Sequence, residues 1–167
     1  MLPKLIKILL ACVIVSGCGF DPIYSSRGQT KANHEFSYVG VASIKDRIGQ
    51  MLRNDLIHQL RIAGELKKKK YDLIVELEET VQSLAVRKSA FATRANLKVT
   101  AKYVLVSSER SKTLLQSSEH ATVSYNIYNS EFATLVARRD AHERAIRSLG
   151  KDIVIRLAIY FERQTGL

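Results

Sequence analysis

The sequence predicts an α+β fold, a mainly antiparallel sheet in the order β-α-β-β-β-α, covered on one side by two helices as a two-layer sandwich. Three observations predict it. Three long runs alternate apolar and polar residues with a period of two. Two others repeat apolar residues at helical spacing, and the breaks between runs are short and polar.

Residues 38–42 form the first, short β run, and Ser43-Ile44-Lys45-Asp46 after it has the form of a helix capping box. Ile48, Leu52, Leu56 and Leu60 then recur every four residues, with Met51 and Ala63 alongside. One stripe therefore faces a core while Arg47, Arg53, Asn54 and Arg61 face away, until Gly64 stops the helix.

From Tyr71 the period changes to two. Tyr71, Leu73, Val75 and Leu77 share one face and Asp72, Glu76 and Glu78 the other, as in a half-buried strand. The phase slips over residues 79–83 before Leu84 and Val86, which predicts a bulge there, and residues 87–90 make the turn. Next comes the clearest alternation in the chain. Phe91, Thr93, Ala95, Leu97, Val99, Ala101, Tyr103 and Leu105 face the core, and Arg94, Lys98 and Lys102 lie on the opposite face. After a charged turn at 107–112, a third long strand turns Ala121, Val123, Tyr125 and Ile127 inward and His120, Thr122, Ser124 and Asn126 outward.

Ser130 caps the last helix, whose stripe reads Phe132, Leu135, Val136, Ala141, Ala145, Ile146, Leu149, Ile153, Leu157 and Tyr160. Glycine inside a helix costs about 1 kcal/mol against alanine, so Gly150 predicts either a bend or a close packing contact.

The N-terminus has a different grammar. Lys4 and Lys7 precede an apolar run, Ile8 to Val15, which ends in Ser16-Gly17-Cys18. A charged start, a short apolar middle and small residues before a cysteine make a lipoprotein signal peptide over residues 1–17, with Cys18 as the lipid-bearing first residue of the mature chain. The apolar run is too short for a membrane-spanning helix, which needs about 20 residues. Residues 18–36, rich in Ser, Asn, Lys and Gly, are expected to be a tether, and residues 37–167 a single domain. Cys12 is lost with the signal peptide and Cys18 carries acyl chains. No thiol then remains for a disulfide, a metal or nucleophilic catalysis.

Lys and Arg number 26 against 16 Asp and Glu, a net charge of +10. Such a surface favours polyanions: nucleic acid, anionic lipid head groups or phosphorylated sugars. The strip Arg94, Lys98 and Lys102, extended at one end by Arg87 and Lys88, is the candidate anion-binding site, since guanidinium forks and ammonium groups both recognise phosphate. Its alternative is a charged face kept for solubility or turned against a partner. Lys67 to Lys70 reads as a solvated loop able to touch anionic head groups. His34, His58, His120 and His142 have no metal-ligand spacing, and Asp140 and Glu143 have no catalytic partner in view. Without a nucleophile motif or a phosphate-cradling glycine loop, neither catalysis nor a bound cofactor is expected. A helix, three antiparallel strands and a helix with high basic charge also describe a duplex-RNA-binding domain. The export signal and the lack of aromatic stacking residues on the strand face argue against nucleic acid. A generic periplasmic lipoprotein is the other alternative.

Four segments carry a family resemblance: Cys18-Gly19-Phe20-Asp21-Pro22-Ile23-Tyr24, Arg47 through Leu56, Thr93-Arg94-Ala95-Asn96-Leu97, and Ser124-Tyr125-Asn126 before Glu131-Phe132-Ala133. In order and spacing they resemble the alphaproteobacterial form of the lipopolysaccharide-assembly lipoprotein family LptE. The resemblance implies a two-layer sandwich anchored at the periplasmic face of the outer membrane, an LptD-like β-barrel as partner, and lipopolysaccharide as the ligand of basic side chains. It also implies a plug that assists barrel assembly and helps deliver lipopolysaccharide to the cell surface. Gly19 after the cysteine is what the family's sorting rule associates with the outer membrane. Arg138-Arg139 stands where an acid is expected before Asp140-Ala141, a departure from the pattern.

Overall fold

The computed structural model describes residues 31–62, 64–86 and 92–164. The signal peptide, Cys18, the tether up to residue 30, and Arg87 and Lys88 with their turn all lie outside these residues.

The long alternations become a sheet. Strands β1 (Val39–Val41), β2 (Tyr71–Val86), β3 (Ala92–Ser107) and β4 (Thr113–Asn126) lie side by side in sequence order. β2, β3 and β4 pair antiparallel, while β1 runs parallel to β2 from Val39 opposite Tyr71 to Val41 opposite Leu73. The parallel pair needs a crossover, and helix α2 (Asp46–Arg61) supplies it. Helix α3 (Glu131–Arg163) returns across the same face, and the short helix α1 (Lys31–Phe36) closes one end.

The core lies between this face and the two long helices. Ala95, Leu97, Val99, Ala101, Tyr103 and Leu105 are the buried residues of β3, as the alternation predicted; Thr93 is half-buried, and Phe91 lies outside the described residues. Leu52, Leu56 and Leu60 of α2 meet them, as do Ala141, Ala145, Ile146, Leu149, Ile153, Val154, Leu157 and Phe161 of α3. The strand's other face, with Arg94, Lys98 and Lys102, is left open to solvent.

Four expectations change. First, the end of the predicted tether is helical: in α1, Ala32 and Phe36 are buried, and Phe36 meets Phe161 edge-to-face at 6.1 Å. Its polar composition hid two inward side chains. Second, the capping box does not form. Lys45 occupies the cap position without a side-chain bond, Asp46 is left-handed at φ 65°, and the Ile44 carbonyl instead accepts a 2.6 Å bond from the Gln50 amide. Ile44 turns into the core there, which redirects the chain before α2.

Third, the bulge falls later than predicted. Register runs unbroken from Tyr71 opposite Ser107 to Ser83 opposite Ala95 and shifts only between Ser83 and Val86. Glu79 looked like a break in phase because it is an acid at a core-side position. It keeps phase because Arg138 donates to it at 2.8 Å and His142 lies at 3.1 Å, both from α3. Burial pushes the Glu79 carboxyl up, but these two partners outweigh it and hold it below its ordinary value.

Fourth, the apolar stripe of α3 is not all core: burial begins only at Ala141. Ser130 does cap the helix, its hydroxyl accepting from the Ala133 amide at 3.3 Å. Gly64 follows α2 with φ 131°, a conformation suited to glycine, which explains the predicted stop.

Candidate functional site

The open face of the sheet holds the predicted basic strip, and the register shows what surrounds each cation. On β2, Glu76 stands opposite Lys102, Glu78 opposite Thr100 and Thr80 opposite Lys98; on β4, Ser118, His120 and Thr122 stand opposite the same three residues. Lys102 is therefore beside two acids, and its ammonium donates to Glu78 at 2.5 Å. That bond raises the ammonium above its ordinary value and occupies it. Lys102 belongs to an acid-balanced half of the face.

Arg94 and Lys98 differ. Both are exposed, and neither has a carboxylate partner among the described residues. Asn96 lies between them and accepts from the Ser124 hydroxyl at 2.6 Å, while Asn126 stands opposite Arg94. The result is a patch of two free cations among amides and hydroxyls at the end of the sheet nearest the β2–β3 turn, fit to meet an oxyanion. Arg87 and Lys88 lie outside the described residues. Among those described, no group of three His, Cys, Asp or Glu could hold a metal, and no helix is long and apolar enough to cross a membrane.

A second surface at the same end was not legible as a site. Tyr128, Phe132, Leu135 and Val136 are 50, 76, 64 and 49% exposed. Phe132, Leu135 and Val136 lie at i, i+3 and i+4 on the first turns of α3, so they form one patch. Thr134 ties Tyr128 beside them, its hydroxyl accepting from the Tyr128 amide at 2.9 Å and donating to the Tyr128 carbonyl at 3.2 Å. These residues have the right period for a core helix, but on these turns the partly buried positions are Ala133, Thr134 and Ala137 instead. The one warning in the sequence is the charged run Arg138-Arg139-Asp140, which interrupts the stripe before burial starts.

A two-layer sandwich with an exposed basic patch on one layer and an exposed apolar helix end on the other offers two surfaces for binding. Residues 36–157 match the family model "LptE: Lipopolysaccharide-assembly", and the chain belongs to that family. Its role is thereby in lipopolysaccharide assembly, as a lipoprotein of the membrane-associated kind. An uncharacterized protein of Rickettsia prowazekii (strain Madrid E) is 25% identical over 157 residues, covering 94% of this chain and 97% of that protein. Among solved structures, a candidate lipoprotein of Caulobacter crescentus CB15 matches with TM-score 0.67 at 20% identity, over 80% of this chain and 98% of its own. Rare lipoprotein B of Shewanella oneidensis matches with TM-score 0.56 at 9% identity, over 75% and 96%. At those identities the likeness is one of fold.

Proposed function

We propose that the mature protein is anchored through acylated Cys18 at the periplasmic face of the outer membrane. There it seats in an LptD-like β-barrel, assists assembly of that barrel, and helps pass lipopolysaccharide outward. Family membership supplies the process. The observation that carries the docking role is the apolar end of α3. Phe132, Leu135 and Val136 face solvent on one side of one helix, and exposed apolar patches of this kind on a small domain mark surfaces that a partner covers. Arg94 and Lys98 lie toward the same end but on the opposite, open face of the sheet.

Tagged protein, solubilised from the membranes of its own cells, should bring down a large β-barrel in near-equal amount. Recovery of the lipoprotein alone overturns the docking role. Depletion should also lower the amount of folded barrel, and an unchanged amount overturns the assembly role.

A further inference from the structure

The end of the molecule opposite Phe132 carries a different surface. Lys67, Lys68, Lys69 and Lys70 are consecutive and all exposed. They are fixed in place rather than loose. The Lys67 amide donates to the Ser37 carbonyl at 2.7 Å and the Lys70 amide to the Tyr38 carbonyl at 3.0 Å. The ammonium groups of Lys70 and Lys67 lie 4.0 and 5.5 Å from the Tyr38 ring centre, and Lys69 pairs with Asp72 at 2.8 Å. The turn after β3 joins them, its Ser108 amide donating to the Lys70 carbonyl at 2.9 Å, and it brings Arg110 and Lys112 to the same end.

The segment holding these lysines is the one through which the chain arrives. Ser37 and Tyr38 follow α1 directly, and α1 is bound both to the last turns of α3, where the Ala32 amide donates to Glu162 at 3.1 Å, and to the start of β2, where the Tyr71 hydroxyl donates to Glu35 at 2.9 Å. Cys18 lies thirteen residues before Lys31. Thirteen residues reach at most about 45 Å, so acyl chains on Cys18 hold the start of α1, at this end, within that distance of the bilayer.

We propose that the Lys67–Lys70 end is a docking surface for an anionic phospholipid leaflet, with Arg110 and Lys112 at its edge. The proposal rests on the acylation of Cys18 given above and adds the orientation of the domain. The lipid holds the basic end against the head groups, where each cation adds attraction. Glu65, Asp72 and Glu109 lie among these cations, and only Asp72 is paired with one of the four lysines, so the cluster keeps excess positive charge.

The test uses the acylated full-length protein reconstituted into vesicles, with amine acetylation read by mass spectrometry. On phosphatidylglycerol-containing vesicles, Lys67–Lys70 should react several-fold more slowly than on pure phosphatidylcholine, and the protection should vanish near about 0.5 M salt. Lys151, away from this end, should react equally on both. Equal reactivity of Lys67–Lys70 on the two lipids overturns the proposal. The same spectra show whether Cys18 carries acyl chains, so failure of the anchor is seen separately. If it carries none, sedimentation of the same protein with the two vesicle types decides: salt-sensitive binding to the anionic vesicles, lost in Lys67→Glu with Lys68→Glu, upholds the surface. No difference between the vesicles overturns it.

Discussion

Gly150 shows how one missing methyl sets the contact between the two long helices. A Cβ there would stand 2.0 Å from the Asp55 Oδ2 and 2.9 Å from the Gln59 amide nitrogen, and these two side chains are themselves bonded at 2.7 Å. Alanine is the better helix former by about 1 kcal/mol, but here it would push Asp55 off Gln59 in a half-buried contact, and overpacking costs about 1–3 kcal/mol. Gly150→Ala should therefore destabilise the protein by about 1 kcal/mol in urea unfolding, and should stabilise it in an Asp55→Ala background. A loss of the same size in both backgrounds would mean that Asp55 is not the obstacle. Burial also raises the Asp55 carboxyl above its ordinary value, against the lowering effects of Gln59, His58 and Arg147. The folded state then binds a proton more readily than the unfolded one, so this group's contribution falls as pH rises from 3.8 through the raised value. Asp55→Asn should gain on the natural protein at neutral pH, and the gain should fade as pH falls below about 4.

At the scale of elements, what was legible depended on whether one strand or one helix settles its own burial. The sided pattern of β3 is complete within its sequence, because it is the inner strand between β2 and β4, and its Ala95-to-Leu105 series was read correctly throughout. α3 and β2 were read less well because their partners are distant in sequence. Glu79, an acid on the core side of β2, is met by Arg138 and His142 of α3, and the first turns of α3 bury Ala133, Thr134 and Ala137 in part rather than Phe132. The same limit applied to the basic strip: spacing put Arg94, Lys98 and Lys102 on one face, but only strand register set Lys102 beside Glu76 and Glu78. The two halves of β3 should therefore respond differently. Arg94→Asp with Lys98→Asp should weaken lipopolysaccharide binding about tenfold or more without lowering the unfolding midpoint, because both side chains are exposed. Lys102→Ala should change binding little. Equal loss from both substitutions, or unchanged binding in the folded double variant, would remove the ligand role from this patch.

The whole molecule is long in one direction, since the 33 residues of α3 span about 50 Å. Its middle and C-terminal parts form the core, while Phe132, Leu135 and Val136 on its first turns lie in water. The lysine end and α1 lie at the helix's far terminus, so anchoring, folding and docking are assigned to successive lengths of one rod. That division predicts a separation of effects. Phe132→Ser with Leu135→Ser removes apolar surface that is already in water, and the free protein should unfold within about 0.5 kcal/mol of the natural one. Leu149→Ala, at a fully buried position on the same helix, should cost about 2–5 kcal/mol. In pull-downs the order should reverse: the Phe132 and Leu135 double variant should lose the barrel although it folds, and the Leu149 variant should retain it for as long as it stays folded. If the double variant recovers as much barrel as the natural protein, the apolar end of α3 is not the docking surface, and the partner must be held elsewhere on the rod.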